Sequence, residues 1–410
     1  GSRAAHGTCT LPPHFPPAPQ FPDAPMRVAA LFACAAALRD SDDDSSDLSQ
    51  TGVKANFPFY HTSDEIHAEL QRLSSNCGGM MQVATADKSD GSGNRASIDY
   101  VTITKPGATP KNKMFMLFGE HARELISPES SLHFLKTLCG ETNVQVGEAL
   151  DNTQFQIVVN GNPNSRRKVE GGDYCLRVNQ DGVDLNRNWD EKWQADSDFG
   201  GSDTNPGSKA FSEAETRIFK DLVTDFQPTT FLTIHSGTMG MYMPWAFDRE
   251  HLATRNNKNM MDLLVKLDKD HCQCPFGAAG REVGYSCPGT CLDYVYDKLN
   301  CSYSYAFEIY TGPDYRDNLR DRWQEKMSQM GESLLEQKAT LAHAAMKGIF
   351  EDHPSDFVQM KEKRHRLRHH RDLDDCFGRF NPSEEDDFQQ TVENWSSAYI
   401  QMANMIAAKL

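Results

Sequence analysis

From about residue 57 to residue 310, short apolar runs alternate along the chain with amphipathic segments. The apolar runs are rich in β-branched and aromatic residues, which is typical of strands; they are "SIDYVTIT", "KMFMLFG", "TQFQIVV", "TTFLTIH" and "CSYSYAFEIY". The segments between them place apolar residues three and four positions apart, as in Ile66, Leu70 and Leu73 after the polar start at Ser63, and predict helices. Strands separated by helices of about 10–15 residues predict an α/β fold with a mixed, mostly parallel central sheet of about eight strands and helices on both faces.

Segments of different composition flank this pattern. Residues 1–54 are predicted to be a disordered leader followed by a polar, acidic linker. Residues 315–373 are predicted to be a charged helical insertion that contains the basic run "KEKRHRLRHHR". This run is compatible with a docking site, a nuclear-localisation-like patch, a cleavage site or a solvated helical arm. Residues 55–314 and 374–410 are predicted to form one folded domain, which ends in a long amphipathic helix.

The net charge, the signal-like segment and the cysteine content indicate the type of partner and the cellular compartment of the protein. The formal net charge of -16, from 58 acidic and 42 basic residues, argues against nucleic-acid binding, which needs a basic surface. Met26, Arg27 and the run "VAALFACAAAL" resemble a secretory signal, with an unstructured apolar leader as the alternative. The 11 cysteines are numerous for a cytosolic protein and predict disulfides. We therefore expect a secreted protein, or one of an endomembrane or vacuolar lumen, with no membrane span.

Candidate metal ligands lie where two predicted strands end. His121 and Glu124 follow the strand that ends at Gly119, and His235 closes the strand "TTFLTIH". Ligands gather at strand ends in open α/β sheets, so we expect these three side chains to meet. A His-x-x-Glu pair is weak by itself, since about one is expected by chance in a chain with 14 histidines. Three protein ligands leave zinc an open position for water, which is the arrangement of a catalytic site.

Further polar side chains at strand ends and turns strengthen this interpretation. Glu308 lies near the end of another apolar strand, where a carboxylate is costly unless it is paired or functional. Arg167 follows the turn "NGNPNSR", and Asn186 and Arg187 lie in "GVDLNRNW". An arginine fork recognises a carboxylate through two hydrogen bonds. One pocket with zinc, a general base and a cationic clamp has the parts needed to cleave the last peptide bond of a chain.

The order of these motifs resembles that of a known family. The motifs "HARE", "NPNSRRK", "GVDLNRNW", "TIHSG", "GYSCPGTCLDYVY" and "FEIY" are similar to those of the zinc metallocarboxypeptidases, the carboxypeptidase A-like peptidases. The likeness covers residues 55–310 and 374–410, and it looks nearest to a plant and protist branch that shares "GDYC" and the closing "DCF-x-x-FNP". The resemblance implies that the predicted folded domain is a zinc carboxypeptidase catalytic domain.

The resemblance also implies catalytic roles for five residues. His121, Glu124 and His235 would bind one Zn²⁺ per chain. Glu308 would act as the general base that activates the zinc-bound water and then passes the proton to the leaving amine. Arg167 would polarise the scissile carbonyl and hold the developing oxyanion.

Substrate contacts are implied in the same way. Asn186 and Arg187 would hold the C-terminal carboxylate, Tyr285 would close over it, and Arg123 would make a secondary contact with the substrate. Leu292 matches the position at the base of the terminal side-chain pocket, which Ala306 also lines. Both residues favour an apolar C-terminal residue, because a buried cation needs a partner.

The expected function is therefore a zinc-dependent exopeptidase acting as a monomer on peptide or protein C-termini, with an apolar preference. The alternatives are a basic-residue-specific carboxypeptidase, a hydrolase of the same fold acting on acylated amino acids or cell-wall peptides, and an inactive binding module. Inactive relatives typically lack the base or a metal ligand, and here Glu308 and all three ligands are present.

Overall fold

The computed structural model describes residues 52–89, 91, 93–195, 202–313, 315–317, 319, 321 and 372–410. The predicted leader and linker, including the signal-like segment at Met26, lie outside the described residues except for residues 52–54. Most of the predicted insertion at 315–373, with its basic run, also lies outside them.

Eight strands in the described part of the chain form one mixed sheet. They are β1 (Met81–Ser89), β2 (Arg95–Ile103), β3 (Asn112–Phe118), β4 (Thr153–Val158), β5 (Thr230–His235), β6 (Thr238–Met243), β7 (Phe276–Ala278) and β8 (Tyr303–Tyr310). The order across the sheet is β1-β2-β4-β3-β5-β8-β6-β7. The pairs β4–β3, β3–β5, β5–β8 and β6–β7 are parallel, and the other three pairs are antiparallel. The predicted mixed, mostly parallel sheet is confirmed.

The helices follow the amphipathic segments of the sequence. They are α1 (Val53–Asn56), α2 (Ser63–Asn76), α3 (Ile126–Leu138), α4 (Ala149–Asn152), α5 (Pro163–Glu170), α6 (Ala214–Phe226), α7 (Asn257–Leu267), α8 (Ala279–Glu282), α9 (Cys291–Asp297), α10 (Asp372–Phe380) and α11 (Glu385–Ala407). Shorter helical turns lie at Leu185–Arg187, Ser202–Thr204 and Asp268–Cys272. Among the described residues, no helix combines the length and apolar character needed to cross a bilayer.

Strand β3 shows why the central runs are apolar without interruption. Met114, Met116 and Phe118 pack into the core formed with α2, α3, α7 and α11. The alternate residues, Phe115 and Leu117, pack against α6 and α9 on the other face. Successive side chains of a strand point to opposite faces, so a strand covered on both faces must be apolar at every position. The helices on both faces are therefore as predicted.

The segment that follows the insertion returns to the loop between β3 and α3. A disulfide joins Cys376 of α10 to Cys175, and two further disulfides are Cys77–Cys139 and Cys272–Cys274. The side chain of Asn381 accepts a hydrogen bond from the backbone N–H of Ile126 at 3.0 Å and donates one to the carbonyl of Arg123 at 2.9 Å. This asparagine thereby ties the chain after α10 to the β3–α3 loop.

Candidate metal centre and active site

Two neighbouring parallel strands bring the predicted metal ligands together. His121 and Glu124 lie in the loop after β3, and His235 is the last residue of β5. Strands β3 and β5 pair in parallel, with Phe118 opposite Ile234, so both carboxyl ends meet at one edge of the sheet. The three side chains are buried, and one ligand atom from each lies within 4.8 Å of the others.

The contacts inside this triad indicate a cation site. Nδ1 of His121 lies 2.7 Å from Glu124 Oε1, and Nδ1 of His235 lies 3.1 Å from Glu124 Oε2 and 3.1 Å from His121 Nδ1. The other ring nitrogen, Nε2, has an outer partner in both histidines: Asp184 Oδ1 at 3.1 Å from His121 and Thr233 Oγ1 at 2.8 Å from His235. These partners assign the ring proton to Nε2 in each case.

Two lone pairs and a carboxylate therefore converge with no hydrogen between them, and a metal ion satisfies all of them at once. Imidazole nitrogen and carboxylate oxygen are ligands that zinc takes in catalytic sites. The residues present fit a bound Zn²⁺.

A hydrogen-bonded chain behind His235 orients its ring. The imidazole N–H donates to Thr233 Oγ1, and that hydroxyl donates to Glu120 Oε2 at 2.9 Å. Glu120 Oε2 also lies 3.4 Å from His235 Nε2. Because Thr233 and His235 are two residues apart on β5, their side chains lie on the same face of the strand.

Glu308 lies beside the triad on the next strand. Strand β8 pairs in parallel with β5, and Glu308 is directly opposite His235. Its Oε2 is buried and accepts no hydrogen bond within the described residues. Burial raises the pKa of Glu308, and the neighbouring Glu124 carboxylate raises it further. A carboxyl group in these surroundings is suited to accept a proton.

The arginine at this site is not the predicted one. The half-exposed Arg167 lies on α5 and forms an ion pair with the exposed Asp64 at 3.0 Å, so its predicted placement at the metal centre is wrong. Arg177 lies there instead, with its guanidinium 3.5 Å from Glu124 Oε1. Its Nε and Nη2 donate to Asp184 Oδ2 at 3.1 Å and 2.9 Å. Asp184 therefore pairs with Arg177 and His121, and it forms no ion pair with Arg187.

Asn186 and Arg187 follow Asp184 and lie next to the triad. Asn186 Nδ2 lies 3.4 Å from His235 Nε2, and its side-chain oxygen accepts the backbone N–H of Cys291 at 3.0 Å. The Arg187 guanidinium donates to the carbonyl of Asn186 at 2.7 Å, and no acidic side chain among the described residues forms an ion pair with it. A half-buried guanidinium without a carboxylate partner is suited to bind an anionic group from outside.

The loop that carries Tyr285 packs directly on Arg187. A side chain at Gly289 would place its Cβ 2.3 Å from the Arg187 carbonyl oxygen, and Gly289 has a positive φ of 73°. Only glycine fits this position without displacement. Tyr285 lies in the same loop and is 51% exposed, so the ring is open to solvent rather than packed in the core.

Leu292 belongs to a small apolar cluster next to this loop. The buried members are Tyr242, Ala246, Ala279, Cys287 and Leu292, and Val283 and Ala306 pack against them. Asp293 accepts the backbone N–H groups of Ala246 and Phe247 at 2.9 Å, which holds the cluster's polypeptide in place. The structure thus places Leu292 and Ala306 in one apolar cluster.

Arg123 has an acidic partner and also stacks on an aromatic ring. It donates to the carbonyl of Cys175 at 3.0 Å and to Asp203 Oδ2 at 3.1 Å. Its guanidinium also lies 4.2 Å from the ring centroid of Phe380. Phe380 comes from the segment after the insertion and was not among the predicted site residues.

The fold and the site together define an α/β protein whose described residues place a buried metal site at the carboxyl edge of the sheet. Comparison with known proteins supplies the family: the model of the zinc carboxypeptidase family, Peptidase_M14, matches residues 66–329. The chain belongs to this family. His121, Glu124 and His235 form its zinc site.

The relatives are similar over part of their length. Zinc carboxypeptidase A 1 of Anopheles gambiae is 28% identical over 290 residues, which cover 65% of this chain and 64% of that protein. Carboxypeptidase B of Bos taurus is 28% identical over 236 residues, which cover 52% of this chain and 54% of the bovine protein. The chain thus spans less than two thirds of the length of these two relatives.

Solved structures show the same fold. The structure of carboxypeptidase A from Helicoverpa armigera superposes with a TM-score of 0.55 at 19% identity, covering 74% of this chain and 80% of that one. Thrombin-activatable fibrinolysis inhibitor superposes with a TM-score of 0.57 at 20% identity, covering 73% and 80%.

Three further residues of the site were not found from the sequence. Arg177 lies nine positions before Asn186 within "CLRVNQDGVDLN", and the basic residue so close to that motif was the available signal. Glu120 directly precedes His121 and follows a buried strand. A carboxylate there is costly unless it is paired or functional, so the signal that identified Glu308 was also available for Glu120. Thr233 carries no signal until β5 is known to place it on the face of His235.

Proposed function

We propose that this protein is a zinc-dependent exopeptidase that hydrolyses the C-terminal peptide bond of peptides or proteins. The observation that carries the proposal is Arg187. Its guanidinium is bonded to the carbonyl of Asn186, the residue whose side chain lies 3.4 Å from the metal ligand His235. It is half-buried and has no ion-pair partner among the acidic side chains that the structure describes. A free C-terminal carboxylate is the group that would satisfy it, with the neighbouring Asn186 amide as a second donor.

The chain's own residues supply the remaining steps. When bound, zinc lowers the pKa of a coordinated water and polarises the scissile carbonyl. Glu308 accepts the proton from the attacking water at its buried Oε2 and delivers it to the leaving nitrogen. Tyr285, exposed in its loop, closes over the terminal residue and excludes water from it.

Arg177 takes the role that the sequence interpretation gave to Arg167. Its guanidinium is held by Asp184 and faces Glu124, so it is fixed beside the point where the carbonyl oxygen gains negative charge. A fixed cation at that point stabilises the oxyanion without reorganising. Arg123 makes a secondary contact with the substrate from the side of Phe380.

The terminal side chain enters the cluster around Leu292. Because the cluster is lined by Leu292, Ala306, Ala246 and Val283, it favours an apolar terminal residue. A basic-residue-specific enzyme is the alternative, and a hydrolase of acylated amino acids or cell-wall peptides is a further one. The Arg187 guanidinium and the Asn186 amide, as donors to a C-terminal carboxylate, support a peptide end as the substrate.

The protein is further proposed to be a secreted or endomembrane-lumen monomer from the plant and protist branch of the family, without nucleic-acid partners. The three disulfides among the described residues support an oxidising compartment.

The first test combines zinc content with release of C-terminal amino acids from a mixed peptide set. We expect one zinc per chain and release by the wild type, and loss of release with retained zinc in Glu308→Gln. Glu385→Gln, at an exposed position of α11, is the matched control and should behave as wild type. Zinc binding without release from any peptide with a free C-terminus would refute the exopeptidase.

A further inference from the structure

In the pairing of β6 with β8, Glu308 lies between two positions of β8 on the same face, Ala306 on one side and Tyr310 on the other. Tyr242 pairs with Ala306, Gly240 pairs with Glu308, and Thr238 pairs with Tyr310. The apolar cluster with Leu292 lies at the Ala306 end. If the terminal side chain binds there, as the proposed function requires, the peptide before the scissile bond extends past Glu308 toward Tyr310, a distance of about 7 Å for two strand residues.

Phe380 forms the wall at that other end. The backbone N–H of Gly237 bonds to the Tyr310 carbonyl at 2.8 Å, and a Cβ at Gly237 would lie only 2.3 Å from Phe380 Cε1. The ring is therefore packed directly on the backbone of the β5–β6 turn, two residues after the zinc ligand His235. Phe380 is 5% exposed, and the Arg123 guanidinium covers it at 4.2 Å.

Arg379 places an exposed positive charge on this wall. Its backbone carbonyl accepts the N–H of Gly312 at 3.2 Å, and its exposed guanidinium lies 5.3 Å from the Phe380 ring centroid. Arg123 is already paired with Asp203, whereas no acidic side chain that the structure describes forms an ion pair with Arg379.

We propose that Arg379 and Phe380 form a binding subsite for an acidic side chain located one or two residues before the scissile peptide bond. The Arg379 guanidinium binds the carboxylate of that side chain, and the Phe380 ring supports its aliphatic part. This subsite rests on the proposed exopeptidase function for the direction of the peptide. It is supplied by the segment that Asn381 ties to the metal-binding loop at Arg123 and that the Cys376–Cys175 disulfide ties to the chain after α5.

Hydrolysis of blocked peptides that end in Phe tests the subsite. Glu, Gln or Lys is placed one or two positions before the scissile bond, and kcat/KM is measured for each peptide. We expect the wild type to prefer Glu over Gln by about 3- to 10-fold at low salt, with a smaller ratio at high salt. In Arg379→Gln the ratio should fall to about one, and in Arg379→Glu the peptide with Lys should become the best of the three.

The control is Arg95→Gln, which removes the same charge from an exposed position on β2 and should keep the wild-type ratio. Equal kcat/KM for Glu and Gln peptides in the wild type, or an unchanged ratio in Arg379→Gln, would overturn the subsite while leaving the exopeptidase intact.

Peptide binding, measured without hydrolysis, tests the subsite separately from the proposed exopeptidase function. The dissociation constants of the same peptides are measured by calorimetry on the zinc-loaded Glu308→Gln protein. Tighter binding of the Glu peptide supports the subsite even if the wild type hydrolyses nothing, in which case only the proposed function fails. Equal dissociation constants reject the subsite whether or not hydrolysis occurs.

Discussion

Asp184 holds Arg177 by two hydrogen bonds, with Nε at 3.1 Å and Nη2 at 2.9 Å from the same carboxylate oxygen. The other oxygen of Asp184 lies 3.1 Å from Nε2 of the metal ligand His121. One buried carboxylate thus positions both a zinc ligand and the cation beside it.

Replacement of Arg177 should therefore affect the chemical step. We expect Arg177→Ala to lower kcat by about 100-fold or more, because a fixed donor to the developing oxyanion is lost. Arg167→Ala removes the same group from a surface ion pair with Asp64, and its kcat and KM should stay within about twofold of the wild type. Steady-state kinetics on one Phe-ended peptide compares the two. A large loss in Arg167→Ala with little in Arg177→Ala would return the role to Arg167.

The Glu120–Thr233–His235 chain predicts an effect on zinc affinity. Glu120→Gln keeps the shape of the side chain but weakens the acceptor of the Thr233 hydroxyl, so the His235 ring loses part of its support. We expect zinc to bind about 10- to 100-fold more weakly, measured by competition with a chelator. Thr233→Val, which removes the hydroxyl at nearly constant volume, should have a similar effect. Unchanged zinc affinity in both variants would show that the chain has no role in metal binding.

Stability should depend on pH through His61. Its Nδ1 lies 2.8 Å from Glu129 Oε2, and the hydrogen bond to Glu129 raises the pKa of His61, opposed by partial burial. The folded protein therefore binds this proton more tightly than the unfolded chain does. The stabilisation is fully present below the unfolded pKa of about 6.5 and is lost as the pH rises through the folded value.

Urea unfolding at several pH values measures this effect. The difference in unfolding free energy between the wild type and His61→Gln should be about 1 kcal/mol at acidic pH and should shrink above about pH 6.5. His251, which forms a similar but exposed pair with Asp248, is the control, and His251→Gln should show little pH-dependent difference. A difference that grows with pH would contradict the assignment.

The sequence was sufficient for the parts of the site that depend on strand ends. His121 and Glu124 follow an apolar run, His235 closes one, and Glu308 lies near the end of one. Parallel pairing of the strands brings such positions to one edge of the sheet. The strands β1, β6 and β7 were not predicted, because β1 is largely exposed, β6 is interrupted by a glycine, and β7 has only three residues.

The choice between Arg167 and Arg177 depended on tertiary structure. Both arginines follow the same turn, and only the path of the chain between α5 and Asp184 decides which guanidinium reaches Glu124. Phe380 is separated from the zinc ligands by more than a hundred residues of chain, and its position depends on contacts such as the Cys175–Cys376 disulfide. No local pattern in the sequence encodes such a contact.

Leu292 tests the terminal side-chain pocket. It is 2% exposed within an apolar cluster, so a carboxylate at this position is buried where only a cationic side chain of the substrate can pair with it. We expect the wild type to prefer Phe-ended over Arg-ended peptides. Leu292→Asp should lower kcat/KM for the Phe-ended peptide by about 10-fold or more and shift the ratio of kcat/KM values toward the Arg-ended peptide. Leu292→Asn has the same size without the charge and should lower the Phe activity without favouring Arg, and thermal melting of all three proteins excludes loss of fold as the cause. A wild type that already prefers Arg-ended peptides would show that the pocket is assigned wrongly.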